Sequence, residues 1–120
     1  IRNIAENLDH GADVIKIEPP EGDEARSIGP FPSGEIHPEK SGLFLTLNAN
    51  KRGVTLDLAT DEGAGAFRKL AATTDIVVEN LPLGHLDSLG MGYEALSETN
   101  PGIIVTSITP YGNRGPNRAW

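Results

Sequence analysis

The stretch GADVIKIEPPEGD, residues 11–23, decides the fold. It reads as a helix stop, a buried strand, and an abrupt exit into a proline-rich loop. Gly11 can adopt the left-handed conformation that closes a helix. Val14, Ile15 and Ile17 are β-branched and suit a pleated, packed surface. Pro19 and Pro20 cannot donate to a sheet ladder, so the strand at 13–18 ends near Glu18. In an open parallel sheet, ligands bind at the carboxyl ends of strands. The segment after Glu18 is therefore the first place to look for function.

Upstream, Ile1, Ile4, Ala5 and Leu8 have the one-face spacing of a helix. His10 falls at its negative end and reads as structural, not catalytic. Downstream, residues 19–41 are rich in proline, glycine and charge. A loop of that length is uncommon inside a compact domain unless it has a function or is mobile. Arg26 and the carboxylates and His37 of this loop read as solvated, with no metal-ligand spacing. A phosphate contact is the alternative for Arg26.

GLFLTLNAN at 42–50 is ambiguous between helix and strand. In VTLDL at 54–58, Val54, Leu56 and Leu58 alternate with polar residues, as in a strand with one wetter face. Thr60 then caps a helix whose first turn carries Asp61 and Glu62, and whose stripe is Ala64, Phe67, Leu70 and Ala71. DIVVEN at 75–80 is an apolar run of the kind covered on both faces. Short helices are predicted at 85–89 and 93–98, and a strand through Ile103, Ile104, Val105 and Ile108. Alternating strands and helices point to an α/β fold with a parallel sheet flanked by helices. The loops after Glu18, Leu58, Val78 and Ile108 are then expected along one sheet edge.

The 120 residues fit one domain. With 38% apolar and 22% charged residues the balance is that of a soluble globular chain, and no apolar run is long enough for a membrane span. The absence of cysteine removes disulfides, zinc-thiolate sites and a cysteine nucleophile, and fits a cytoplasmic location. A net charge of −7 argues against nucleic-acid binding. The dinucleotide, phosphate-loop and nucleophile-elbow motifs are all missing. The chemistry points to a nucleotide-like ligand, with no visible catalytic set and no metal site. Lys51-Arg52 stays open between a solvated pair and a phosphate contact. Glu18 and Glu79, closing apolar strands, read as acceptors for loop N–H groups. Asn80 can hold the turn that follows it or bond a ligand, and the bare sequence favours the turn.

Four segments in order resemble the family III CoA-transferases, a group that includes the α-methylacyl-CoA racemases. They are GADVIKIEPPEGD at 11–23, NANKRGVTLDL at 48–58, DIVVENLPLGHLDSLGMGYEAL at 75–96, and NPGIIVTSITPYGNRGP at 100–116, with Trp120 trailing. The resemblance implies that 1–120 is one partial domain, the N-terminal part of a Rossmann-like, CoA-binding large domain. The whole chain would be roughly three times longer and form an interlocked homodimer. It implies CoA transfer between an acyl-CoA and a carboxylic acid, through an aspartyl anhydride and an aspartyl-CoA thioester. CoA is then a substrate, and no covalently bound cofactor is expected. The family's aspartate would follow Trp120, so no catalytic residue is assigned here. The CoA contacts fall on Leu56, Asp57, Leu58 and Ala59, and on Asn80, Leu81 and Pro82. Pro19, Ala59 and Ser88 stand where some members carry a basic residue, which leaves Lys51, Arg52 or residues outside this stretch for the CoA phosphates. A strand that precedes Ile1 in the family is missing, so self-association or marginal stability is expected of the isolated stretch. The continuation after Gly115-Pro116 looks like a transferase. The alternatives are an α-methylacyl-CoA racemase or epimerase, and an inactive structural fragment.

Overall fold

The structure is a computed structural model, and it describes residues 11–117. The predicted helix at 1–10, with His10, and the trailing Trp120 lie outside the described residues. The chain divides between Leu56 and Asp57 into two compact units.

The first unit holds β1 (Ile15–Glu18), a single 3-10 turn (Glu24–Ser27), α1 (Gly42–Leu47) and β2 (Arg52–Thr55). β1 and β2 pair in parallel, with Ile15 opposite Arg52 and Glu18 opposite Thr55. Leu56 N–H donates to the Glu18 carbonyl at 2.9 Å and closes the ladder. A parallel pair needs a crossover of a dozen or more residues. Here the 3-10 turn and α1 fill that crossover. The ambiguous 42–50 segment is therefore a helix. Its N-cap is Ser41, whose hydroxyl accepts from Phe44 N–H at 3.1 Å. Phe44 and Ser41 are the buried centre of this unit. Gly11 has φ of +91°, the left-handed conformation foreseen for it.

The second unit holds α2 (Asp61–Ala71), β3 (Ile76–Glu79), α3 (His85–Ser88), α4 (Tyr93–Thr99) and β4 (Ile104–Ser107). Thr60 Oγ1 accepts from Gly63 N–H, as its capping position predicts. Ala64, Phe67 and Ala71 form one buried stripe of α2. Leu86, Leu96, Ile103 and the fully buried Met91 complete the core. β3 and β4 pair in parallel, Ile76 opposite Ile104 and Glu79 opposite Ser107.

The parallel α/β architecture is the expected one, but three details differ. The strands make two two-stranded sheets, not one continuous ladder. β2 starts earlier than VTLDL and ends at Thr55. The burial still alternates through Leu58, with Val54, Leu56 and Leu58 half-buried and Thr55 and Asp57 exposed. The third difference is at 75–80. Ile76 and Val78 of β3, like Ile104 and Ile108 in and after β4, are 40–56% exposed. Only the alternate residues Val77, Glu79, Val105 and Ser107 are half-buried, so this apolar run is packed on one face.

Candidate functional site

In each parallel pair the carboxyl end opens on a cavity. At the end of β1 the cavity holds about 420 Å³, between Pro19, Pro20, Gly22, Pro38, Gly53 and Thr55. Its wall is the long loop at 19–41, held by a network centred on Glu18. This carboxylate is buried at the last position of β1. A buried charge must be paired. Arg26 supplies the pair, Nε donating to Oε2 at 2.7 Å and Nη2 to Oε1 at 2.9 Å. Asp23 N–H donates to Oε2 at 3.0 Å. The forked geometry matches two parallel charge-assisted bonds. The Arg26 hydrogen bond outweighs burial and holds the Glu18 carboxyl below the usual carboxylate range. The same bond raises the Arg26 guanidinium.

The Arg26 guanidinium also lies 3.7 Å from the centre of the Phe44 ring, a cation–π stack. Nη1 donates to Glu39 Oε1 at 3.0 Å and to the Pro38 carbonyl at 3.3 Å. Lys16 donates to Asp23, which caps the 3-10 turn through Ala25 N–H at 2.7 Å. Burial raises the Asp23 carboxyl, but the Lys16 and Ala25 bonds bring it below its ordinary value. The fully buried Ser41 hydroxyl lies 2.7 Å from the Ala25 carbonyl and 2.5 Å from that of Ile28.

These contacts overturn two readings. Arg26 and Asp23 are not solvated loop charges, because the burial of Glu18 and the closeness of Lys16 recruit them. Arg26 is bonded to Glu18, Glu39 and the Pro38 carbonyl and also lines the cavity. Lys51-Arg52 was open between solvation and phosphate binding, and the structure gives both residues a structural partner. Lys51 Nζ closes α1 by donating to the Leu47 carbonyl at 2.8 Å and to Asn48 Oδ1 at 3.0 Å. Burial lowers its ammonium pKa. Arg52 forms an exposed two-point pair with Asp13, at 3.1 and 2.5 Å.

The predicted contact residues occupy two turns. Leu56 closes the first unit. Asp57 and Ala59 are exposed, and Leu58 is half-buried. Asp57 Oδ1 accepts from Ala59 N–H at 3.0 Å, and its carbonyl accepts from Thr60 N–H at 3.1 Å and from the Thr60 hydroxyl at 2.8 Å. This tight turn leads straight into α2. After β3, Asn80 and Pro82 are exposed and Leu81 is half-buried. Leu81 N–H donates to Glu79 Oε2 at 2.7 Å. The turn bond thus comes from Glu79, as read for that residue, and Asn80 has no side-chain hydrogen bond of its own among the described residues. A cavity of about 610 Å³ lies alongside, between Glu79, Gly84, His85, Tyr93, Ser107 and Asn113. The Thr109 hydroxyl, just past β4, is shielded from solvent without a hydrogen-bond partner. Among the described residues no group of three or more side chains could hold a metal, and no helix is long and apolar enough to cross a membrane.

Two features escaped the sequence reading, the Arg26–Phe44 stack and the buried Ser41 hub. Glu18 signalled only that a cation was needed nearby, since a carboxylate ending an apolar strand must be paired.

The family model for CoA-transferase family III matches residues 7–120. The chain is 42% identical over 110 residues to the succinyl-CoA:(R)-benzylsuccinate CoA-transferase subunit BbsE of Thauera aromatica, covering 92% of this chain and 27% of that protein. It is 44% identical over 105 residues to the succinyl-CoA:mesaconate CoA-transferase of Haloarcula hispanica, covering 88% and 26%. Among solved structures, a CAIB/BAIF family protein from Brucella suis superposes with a TM-score of 0.85 at 42% identity, covering 96% of this chain and 30% of that one. The chain thus spans about a quarter of the length of the curated relatives it matches.

Proposed function

The chain belongs to CoA-transferase family III, and from that premise we propose that its parent protein moves CoA between an acyl-CoA and a carboxylic acid. The observation that carries this is the match over residues 7–120, together with relatives above 40% identity that are CoA-transferases. Several relatives are named for succinyl-CoA, which makes it the first donor to test.

The proposed chemistry is nucleophilic catalysis by a carboxylate. An aspartate attacks the thioester carbonyl, the C–S bond breaks, and CoA thiolate leaves a mixed anhydride behind. The thiolate then attacks the aspartyl carbonyl, and the donor acid departs as a carboxylate. The acceptor carboxylate reverses both steps, and the aspartate is regenerated. On this reading the aspartate lies outside residues 1–120, and this stretch is the N-terminal part of the CoA-binding domain. Leu56, Asp57, Leu58 and Ala59, with Asn80, Leu81 and Pro82, contact the nucleotide end of CoA. Support for the assignment is their position at or just beyond the carboxyl ends of parallel strands. With Lys51, Arg26 and Arg52 engaged, charge for the CoA phosphates comes from other groups.

The test is incubation of the full-length protein with succinyl-CoA and a panel of carboxylic acids, with acyl-CoA products read by mass spectrometry. A new acyl-CoA that depends on the acceptor acid is expected. No new thioester from any pair would sink the proposal. Deuterium entering the α-carbon of a branched acyl-CoA, with no acceptor present, would indicate a racemase instead. Residues 1–120 alone should transfer nothing. The full-length protein is proposed to be cytoplasmic and to sediment as a homodimer.

A further inference from the structure

We propose that Arg26 is a positioning residue for the CoA site: clamped between Glu18 and Phe44, it holds the loop at 19–41 as a preformed wall and touches no phosphate itself. The proposal rests on the CoA-binding reading given above and extends the CoA site to the β1–β2 cavity, whose lining reaches Thr55, next to Leu56.

The clamp engages all three guanidinium nitrogens of Arg26 and one ring face, while the side chain still borders the cavity. Nε and Nη2 are taken by Glu18, Nη1 by Glu39 and the Pro38 carbonyl, and the ring of Phe44 covers one face. Its side chain is 21% exposed. The contacts join both ends of the loop. Glu18 is the last residue of β1, Pro38 and Glu39 come from the loop's far end, and Phe44 lies in the helix after it. The cavity rim rests on the same side chain. Gly22, at φ +84°, comes so close that an added Cβ would stand 3.2 Å from Arg26 Cδ. Gly22 N–H in turn bonds the Pro19 carbonyl at 2.9 Å, so the 19–22 turn is one piece. Ser41 ties the 3-10 turn to the start of α1 from behind. A ligand entering the cavity meets a wall already ordered, and the entropic cost of ordering it was met on folding. Lysine cannot replace this residue, since its ammonium is a point charge without a planar fork or a stacking face.

The experiment compares Arg26→Lys, Arg26→Gln and the milder Glu18→Gln in the full-length protein. Three readouts are taken: CoA affinity at several salt concentrations, KM against kcat, and cleavage of the 19–41 loop by a glutamate-specific protease. A positioning residue predicts that Arg26→Lys and Arg26→Gln weaken CoA binding alike, by about tenfold, through KM with kcat nearly held. It predicts faster cleavage after Glu21, Glu24, Glu35 and Glu39, and an unchanged salt slope. Glu18→Gln should show the same pattern more weakly, and it keeps the test open should the Arg26 variants fail to fold. A phosphate contact predicts otherwise: Arg26→Lys retains affinity, Arg26→Gln loses it, and the salt slope falls by about one. That result overturns the proposal. So does an unchanged loop and affinity in all three variants. If the unaltered protein binds no CoA, the site assignment itself fails, and protease cleavage still decides whether Arg26 holds the loop.

Discussion

Gly63, in the first turn of α2, lies directly against the carbonyl of Asp57: a Cβ built on Gly63 would overlap that oxygen. The obstacle is backbone, so no side-chain rotation relieves it. The turn that carries Asp57, Leu58 and Ala59 is thereby seated on the helix that follows it. Gly63→Ala should push the turn away and destabilise the protein by about 2 kcal/mol or more. Urea denaturation checks the stability. In the full-length protein CoA affinity should fall as well, and an unaffected affinity would detach this turn from the proposed site.

Asn100 fastens the start of the second parallel pair. Its Nδ2 donates to the Ala71 carbonyl at 3.0 Å and to the Thr74 carbonyl at 2.8 Å, at the end of α2. Asn100→Ala removes a donor from both carbonyls in a half-buried place, with the Ala71 carbonyl keeping only the longer bond from Thr74 N–H at 3.3 Å among those outside the helix. The expected loss is about 1–3 kcal/mol, measured by chemical denaturation. Asn100→Asp should fare no better, because an ionised carboxylate has no N–H to give.

Ser41 is the corresponding fastener of the first unit. Ser41→Ala removes the α1 cap and a hydroxyl shared by two loop carbonyls. It should cost about 1–3 kcal/mol. Hydrogen exchange should rise in residues 24–28 and 42–45 before it rises elsewhere.

Glu18 and Asp23 set an acid limit. Both carboxyls titrate lower in the folded chain than their ordinary values of 4.5 and 3.8. The folded state therefore binds fewer protons than the unfolded state near those values. Their contribution to stability is complete above the unfolded values and is lost as pH falls through the folded ones. Urea midpoints should drop from pH 5 downward. Glu18→Gln should flatten that drop and lower the midpoint at pH 7.

The elements were legible where local rules and packing agree. Ile15, Ile17 and Pro19 locate β1 and its end, and Thr60 with Ala64, Phe67 and Ala71 locates α2. For β2 the alternation of Val54, Leu56 and Leu58 was read correctly as burial. It did not reveal where the ladder stops, because Asp57 turns its own bonds inward to Ala59 and Thr60. The helix at Gly42–Leu47 needed the Ser41 cap to decide it, as its apolar run suits either period. The clamp on Arg26 depends on Phe44, a partner across a loop without periodicity, and no local pattern announces it. The proposed CoA contacts rest on resemblance, since Leu56, Asn80 and Pro82 carry no chemistry that singles them out.

The most direct test of CoA transfer follows the thioester itself. The full-length protein is given succinyl-CoA and radiolabelled succinate, and label in the acyl-CoA pool is measured alongside free thiol. The account predicts that label enters succinyl-CoA while total thioester stays constant and little free CoA appears. Label confined to succinate, or thioester lost stoichiometrically to free thiol, would contradict it.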